Sequence, residues 1–163
     1  MQQFLFFAVV MLALAAIAPR FLPHQQAATV AIVTATPEAA NTRSVAIAKG
    51  QNGHFSVDAA VDGRRVPFLV DTGASVIVLR EGDAARVGIH PAQREYTARM
   101  STANGIIAAA PIELNRVEVG DLIVRDVAAV VLPDEALAQS LLGMSFLSKV
   151  HWSYLGGKLV LEQ

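Results

Sequence analysis

Hydrophobic and polar residues alternate regularly in the part of the chain that follows residue 53. From His54 to Val61 an apolar residue recurs at every second position, which is the period of a β-strand with one buried face. Asp62-Gly63 follows as a two-residue hairpin turn, and Val66–Val70 returns as an almost wholly apolar second strand. The pattern therefore predicts a β-hairpin at the start of a β-rich domain.

The same short-strand pattern continues to the end of the chain. Further strand segments are Ser75–Leu79, Glu95–Ser101, Ile106–Leu114, Val117–Val119, Leu122–Val124, Val127–Leu132, His151–Tyr154 and Lys158–Leu161. Asn104-Gly105 and Gly156-Gly157 lie between pairs of these segments as hairpin turns. Short helices are predicted only at Arg80–Val87 and Asp134–Ser140. Many short strands and little helix predict an all-β fold, a compact sandwich or closed barrel.

An apolar run at the N-terminus does not share this β pattern. Phe4–Ala18 contains fifteen apolar residues without a charge. One interpretation is a signal peptide, because Ala16-Ile17-Ala18 resembles a small-x-small cleavage site. The other is a membrane anchor, because Gln3–Leu22 has about the twenty residues that a spanning helix needs. Residues 1–23 are therefore predicted to be an export signal or a transmembrane anchor.

Residues 24–43 are predicted to be a flexible linker. They are rich in Ala, Thr and Gln and carry almost no charge, although the β-prone patch Thr29–Val33 could add a strand. The folded domain is then expected to span residues 44–163. The single charge beside the apolar run, Arg20, weakly favours a cytoplasmic domain under the positive-inside tendency, but one charge decides little about orientation. We expect an export signal or anchor with the domain outside the cytoplasm.

Composition and charge narrow the classes of function. A chain of 163 residues fits one domain, and the absence of cysteine excludes a disulfide scaffold, a thiolate metal site and a cysteine nucleophile. The net charge of −1 lacks the basic excess of a nucleic-acid binder, so no nucleic-acid partner is predicted. The four histidines, His24, His54, His90 and His151, have no metal-ligand spacing, so no metal and no cofactor are predicted.

A candidate for chemistry stands directly after the second predicted strand, at Asp71-Thr72-Gly73-Ala74. The carboxylate follows a buried strand at the point where the chain turns, and a glycine permits close approach of other backbone. Backbone N–H groups around Gly73 and Ala74 can donate to the carboxylate and fix it, while the Thr72 hydroxyl can lock the loop. This string therefore predicts a carboxylate that is held in one position.

A second motif, Leu141-Leu142-Gly143, lies seventy residues after Asp71, and a hairpin that could serve as a flap lies between them at residues 101–105. With these three features in this order, the sequence resembles retropepsin-like (clan AA) aspartic proteases, most closely the bacterial, single-lobe, membrane-anchored members. The resemblance covers about Arg43 to Gln163. It implies the single-lobe fold of an acid protease and a bacterial, membrane-anchored protein. Together with the expectation of an exported domain, this predicts an anchor or export signal at the bacterial inner membrane and a periplasmic domain.

The resemblance also assigns roles to residues. It implies that Asp71 is the catalytic residue of an aspartic endopeptidase, with Thr72, Gly73 and Ala74 as its active-site loop. A flap near residues 101–107 would close over an extended peptide, and Leu141, Leu142 and Gly143 would support the catalytic loop. The flap residues expected to contact substrate are Thr102, Ala103, Asn104 and Gly105.

The chemistry implied by the family needs two carboxylates that share one proton. The other six aspartates, Asp58, Asp62, Asp83, Asp121, Asp126 and Asp134, do not repeat the motif. An active enzyme is therefore expected to be a symmetric homodimer that brings two copies of Asp71 together. The resemblance implies that a terminal strand takes part in this dimer, for which Lys158–Gln163 is available, and Trp152 is expected in core or dimer packing.

A second function is compatible with the same sequence. The domain could be a catalytically inactive member of the family that serves as a membrane-tethered module for binding a peptide or protein. Asp71→Asn distinguishes the two functions, because only the endopeptidase needs the carboxylate.

Overall fold

The protein is described here from a computed structural model, in which residues 42–102 and 105–163 are described. This part of the chain contains ten β-strands, two short α-helices and two 3-10 turns. The strands are β1 (Ser44–Ala48), β2 (Ser56–Val61), β3 (Arg64–Val70), β4 (Ile77–Arg80), β5 (Ala98–Thr102), β6 (Gly105–Val119), β7 (Leu122–Leu132), β8 (Ser140–Leu142), β9 (His151–Leu155) and β10 (Lys158–Glu162). The helices are α1 (Glu81–Arg86) and α2 (Met144–Leu147), and the 3-10 turns are Gln93–Glu95 and Asp134–Ala136.

Six strands close into a barrel in the order β2-β3-β8-β4-β7-β6. The barrel closes because β6 pairs back with β2 at Ala60↔Glu118 and Val61↔Val117. β5 extends the sheet beyond β6. Buried Val, Leu, Ile and Phe side chains from these strands form the main core, with Phe68 and Phe146 fully enclosed. The predicted all-β fold with one or two short helices is confirmed, in the form of a closed barrel. Only α1 lies where a helix was predicted, and α2 was not predicted.

The strand that positions the candidate site is β8, which has only three residues. It lies between β3 and β4, parallel to β3 through Val70↔Leu142 and antiparallel to β4 through the single pair Val78↔Leu141. Because β3 and β4 are joined by the loop 71–76, β8 runs directly beneath that loop. The topology therefore brings the two sequence motifs together.

A separate three-stranded sheet has the order β1-β10-β9. One face of this sheet packs against the main core, in which Leu159 and Leu161 of β10 are buried. β9 and β10 form a hairpin whose turn, Gly156-Gly157, has two positive φ angles, 56° and 80°. The predicted hairpins at Gly156-Gly157 and at Asp62-Gly63 both occur.

Some local predictions were wrong. The segments around Gly120 are not separate short strands but parts of the long strands β6 and β7. The helix predicted for Asp134–Ser140 is only a 3-10 turn, Asp134–Ala136, and Ser140 begins β8. Asp134 caps another helix: its Oδ1 accepts the Gly82 N–H of α1 at 3.0 Å. The Asp134 carboxylate therefore caps α1 and does not begin a longer helix of its own.

The predicted segment 1–23 and all but the last two residues of the predicted linker 24–43 lie outside the described residues. Within the described ranges, no helix has the length and apolar composition needed to cross a membrane. The boundaries of the three predicted segments stay predictions.

Candidate active site

Asp71 is the first residue after β3, and backbone hydrogen bonds fix it on both sides. Its N–H donates to the carbonyl of Leu142 at 3.1 Å. Its Oδ1 accepts the N–H of Gly73 at 2.8 Å, and its carbonyl accepts the N–H of Ala74 at 3.3 Å. A charge-assisted bond of this kind orients a carboxylate strongly. The Asp71 side chain is thus held in one direction while it remains half-buried and open to a ligand.

Glycine at position 73 is explained by crowding rather than by an unusual φ, since Gly73 is not among the residues with positive φ. A Cβ at this position would lie 3.1 Å from the Asp71 Oδ1. Thr72 beside it is exposed, and Ala74 is half-buried. A side chain at position 73 would therefore crowd the Asp71 carboxylate oxygen that accepts the Gly73 N–H.

Gly143 supports the same loop from below. A Cβ at Gly143 would lie 2.1 Å from the carbonyl oxygen of Val76 and 2.7 Å from that of Ala74, distances that no real Cβ adopts. Next to it, the Met144 N–H donates to the Ala74 carbonyl at 2.8 Å. Only glycine lets the Leu142-Gly143 backbone approach the Asp71 loop this closely.

The serine that follows Met144 also acts on the loop. The Ser145 Oγ accepts the N–H of Ile77, the first residue of β4, at 2.9 Å. The hydroxyl thus replaces a backbone acceptor at the end of the Asp71 loop.

A groove of about 680 Å³ opens beside the Asp71 carboxylate. Its walls are mainly apolar and also include several polar residues. The apolar residues are Leu69, Ala74, Val78, Met100, Leu132, Leu137, Ala138 and Leu141, and the polar ones besides Asp71 are Asn52, His54, Ser75, Ser101, Thr102 and Gln139. Among the described residues that line this groove, Asp71 is the one carboxylate.

The hairpin of β5 and β6 covers one side of the groove. Its strands pair from Ala98↔Ala109 to Thr102↔Gly105, and the Thr102 Oγ1 donates to the Gly105 carbonyl at 2.9 Å. Thr102 contributes to the groove wall, whereas the predicted flap residues Ala103 and Asn104 lie outside the described residues. The hairpin occupies the place that the sequence predicted for a flap.

Residues 57–149 match a family model described as "gag-polyprotein putative aspartyl protease". The matched range contains the Asp71 loop, the β5–β6 hairpin and the Leu142-Gly143 support. The chain belongs to the retropepsin-like aspartic proteases.

Known structures and sequences agree with this family. The crystal structure of a retropepsin-like aspartic protease from Rickettsia conorii is 37% identical, with a TM-score of 0.66, and the match covers 74% of this chain and 91% of that chain. An uncharacterized protein of Sinorhizobium sp is 44% identical over 65% of this chain and 46% of its own length. An uncharacterized protein of Rickettsia prowazekii (strain Madrid E) is 41% identical over 64% of this chain and 45% of its own length. The chain thus spans about half the length of the curated relatives it matches.

Sequence reasoning missed a buried polar pair that lies behind the retropepsin-like site. The fully buried Ser140 of β8 donates from its Oγ to the Asp83 Oδ2 at 2.5 Å and accepts the Arg80 N–H at 3.0 Å. Asp83 also forms an ion pair with Arg86. Because β8 has only one backbone pair with β4, this side-chain bridge fixes β8 against β4 and α1. No local sequence pattern signals a contact between residues so far apart in the chain.

Several other residues that line the groove were not predicted to belong to the site. Asn52 and His54 precede β2, and Leu137 and Gln139 lie in the segment that was predicted to be helical. In the described ranges, no group of three or more His, Asp or Glu side chains is arranged to hold a metal ion. The absence of a cofactor stays a prediction.

Proposed function

We propose that the protein is an aspartic endopeptidase that acts as a symmetric homodimer. The observation that carries this proposal is the fixed Asp71 carboxylate, held by the Gly73 N–H at 2.8 Å beside an apolar groove. Family membership supports the same chemistry. The groove has a single carboxylate among its described residues, so the second one must come from another chain.

In the proposed dimer, Asp71 faces the partner's Asp71 across a two-fold axis. Two carboxylates so close together cannot both be ionised. They therefore share one proton. The ionised carboxylate accepts a proton from a water molecule, which attacks the carbonyl carbon of the peptide, while the other carboxyl group donates its proton to the carbonyl oxygen. Collapse of the resulting diol breaks the C–N bond, and a carboxyl proton passes to the leaving amine. The pair titrates as one unit.

The groove and the flap define the substrate class in this proposal. Apolar walls favour hydrophobic side chains on either side of the cleaved bond. The β5–β6 hairpin, a flap near residues 101–107, would close over an extended peptide and exclude water. Thr72, which is exposed in the single chain, would donate or accept hydrogen bonds across the dimer axis.

The test uses the full chain, a denatured protein substrate such as casein and the variant Asp71→Asn. We expect wild type to cleave the substrate and Asp71→Asn to lose at least about a thousandfold in rate, because both carboxylates of the homodimer, the general base and the general acid, are replaced by amides. Asp58→Asn makes the same chemical change at an exposed position of β2 and should retain full activity.

Two outcomes would contradict the endopeptidase. Cleavage that survives Asp71→Asn would exclude Asp71 as the catalytic residue. A folded wild-type protein that cleaves no protein or peptide, yet binds extended peptides in the groove, would favour the inactive, membrane-tethered binding module instead.

The location of the protein is a further part of the proposal. Phe4–Ala18 would export the domain or anchor it at the bacterial inner membrane, with the domain in the periplasm. An anchor would confine the chains to a surface and raise their local concentration, which favours dimers.

A further inference from the structure

Exposed apolar side chains are concentrated on one strand. Of the four large hydrophobic residues that are exposed in the described ranges, three lie on β9: Trp152, Tyr154 and Leu155, with 41%, 60% and 62% of their surface accessible. The fourth is Ile106 in the flap hairpin. Trp152 and Tyr154 lie on the same face of β9, and exposed apolar side chains grouped in this way mark interaction surfaces.

Two of these residues point to the side on which the core lies. In the β9–β10 ladder, Trp152 pairs with Leu161 and Tyr154 pairs with Leu159, and directly paired residues share a face of the sheet. Leu159 and Leu161 are buried in the main core. Trp152 and Tyr154 therefore continue the core-facing side of the sheet past the edge of the core, where protein in the described ranges covers them only in part.

The backbone edge of β9 is also open. Within the described part of the chain, β9 pairs only with β10, whereas β10 lies between β1 and β9 with both of its edges paired. The terminal strand Lys158–Gln163, which the sequence suggested for dimer contacts, thus has no free edge. β9 contains no proline, no lysine and no acidic residue, and its register with β10 is regular throughout. It lacks the devices by which proteins prevent edge pairing.

This surface borders the catalytic loop. The Tyr154 ring packs edge-to-face on Phe55 with 6.1 Å between centroids. The Phe55 carbonyl accepts the N–H of Val70, the residue before Asp71, at 2.8 Å. The β9 surface is therefore connected through Phe55 to the residue that precedes Asp71.

We propose that β9 binds β9 of a second copy of this chain as an antiparallel pair centred on Ser153. A single strand that pairs with itself must run antiparallel about a two-fold axis, which is the symmetry that two Asp71 residues require. In this register Trp152 lies opposite the partner's Tyr154, and His151 lies opposite the partner's Leu155. Aromatic cross-strand pairs of this type stabilise a sheet.

The second copy is favoured over other occupants by the chemistry of the site. This inference rests on the proposed function, because a groove with one carboxylate is complete only when a second chain supplies the other. A two-fold pair of β9 strands covers Trp152 and Tyr154 of both copies at once. It needs no partner of different sequence.

Engineered disulfides test the register in the full-length chain, which contains no native cysteine. Opposed Cα atoms in an antiparallel pair lie about 4.5–5.5 Å apart, within the range that a disulfide spans. Ser153→Cys should therefore form a disulfide-linked dimer in high yield under mild oxidation. Ala128→Cys, at an exposed position of β7, should stay largely unlinked at the same concentration.

A second measurement needs no cross-link. Trp152 is the only tryptophan, so its emission should shift to shorter wavelength as sedimentation shows dimers forming. Tyr154→Lys should weaken the dimer at least about tenfold, because the two lysines would face an apolar partner surface across the axis. Ala128→Lys adds the same charge at an exposed position of β7 and should leave the dissociation constant unchanged.

Each remaining outcome separates this inference from the proposed function. If dimers form and are active but neither Ser153→Cys nor Tyr154→Lys acts on them, the dimer uses another surface and the inference fails alone. If dimers form through β9 and cleave nothing, the inference stands and the proposed function fails. If the chain is monomeric and Trp152 is already shielded at every concentration, another segment of the same chain covers β9 and the inference is overturned.

Discussion

Replacing Gly143 by alanine tests how tightly β8 supports the catalytic loop. The added Cβ would start 2.1 Å from the Val76 carbonyl oxygen, so that distance must grow by about 0.9 Å to reach 3.0 Å, the lower limit for real Cβ contacts. Gly143 has φ −93° and ψ −171°, an extended conformation that alanine adopts freely, so the whole cost is steric. Overpacking of this kind costs about 1–3 kcal/mol, and a neighbouring backbone oxygen cannot rotate away as a side chain can.

A shift of the Gly143 backbone would also move Asp71. Leu142, next to Gly143, accepts the Asp71 N–H, and a misplacement of about 1 Å at a reacting group costs on the order of a hundredfold in rate. We therefore expect Gly143→Ala to lower both the free energy of unfolding, measured in urea, and kcat for peptide cleavage.

A matched control separates steric overlap from backbone conformation. Gly63 has φ 85°, and a Cβ there would meet no atom within 4 Å. Gly63→Ala should cost about 1 kcal/mol from the strained φ and leave kcat unchanged. If the free energy of unfolding of Gly143→Ala is within about 0.5 kcal/mol of the wild-type value and kcat is unchanged, the close approach of the two backbones is refuted.

Three further predictions follow from other parts of the chain. Ser140→Ala should lower the free energy of unfolding in urea by about 1–3 kcal/mol, because the buried Asp83 carboxylate loses its hydroxyl donor; an unchanged midpoint would contradict this. The pKa of Tyr96 is raised above its ordinary value of 10.0, first by burial and then by Glu81, so the folded state holds that proton more tightly. This contribution to stability is fully present below pH 10 and is lost as the pH rises through the raised pKa; Tyr96→Phe should flatten that alkaline decline, and identical alkaline melting curves would refute the assignment. For residues 1–23, alkaline extraction and N-terminal sequencing should find the protein either retained in membranes or cleaved after about residue 18, whereas an intact N-terminus in the soluble fraction would contradict both.

Local signals in the sequence predicted those parts of the fold that depend on neighbouring residues. Asp62 and Gly63 both adopt positive φ, 48° and 85°, as expected of an Asp-Gly hairpin turn. The Asp71 loop forms the predicted backbone bond because Gly73 lies only two positions from the carboxylate. In such cases the physical cause of the structure lies within a few residues of the signal.

Contacts between distant segments could not be predicted in the same way. Ser140 and Asp83 are 57 positions apart, and the three residues of β8 are too few to show a strand period. The Asp134 carboxylate looked like the first turn of its own helix, yet it binds the N–H of Gly82 in α1. β1 was not predicted as a strand, although Val45 and Ile47 recur at the strand period; its place in the sheet is set by pairing with β10, more than a hundred residues away.

The central claim is that one active site needs Asp71 from two chains. Wild type and Asp71→Asn are mixed and equilibrated at total concentrations above the dimer dissociation constant, and the cleavage rate is measured per wild-type chain. Because only dimers of two wild-type chains hold both carboxylates, that rate should fall to about one half at equal amounts and to about one tenth in a ninefold excess of the variant. A rate per wild-type chain that stays constant at every ratio would contradict the shared site.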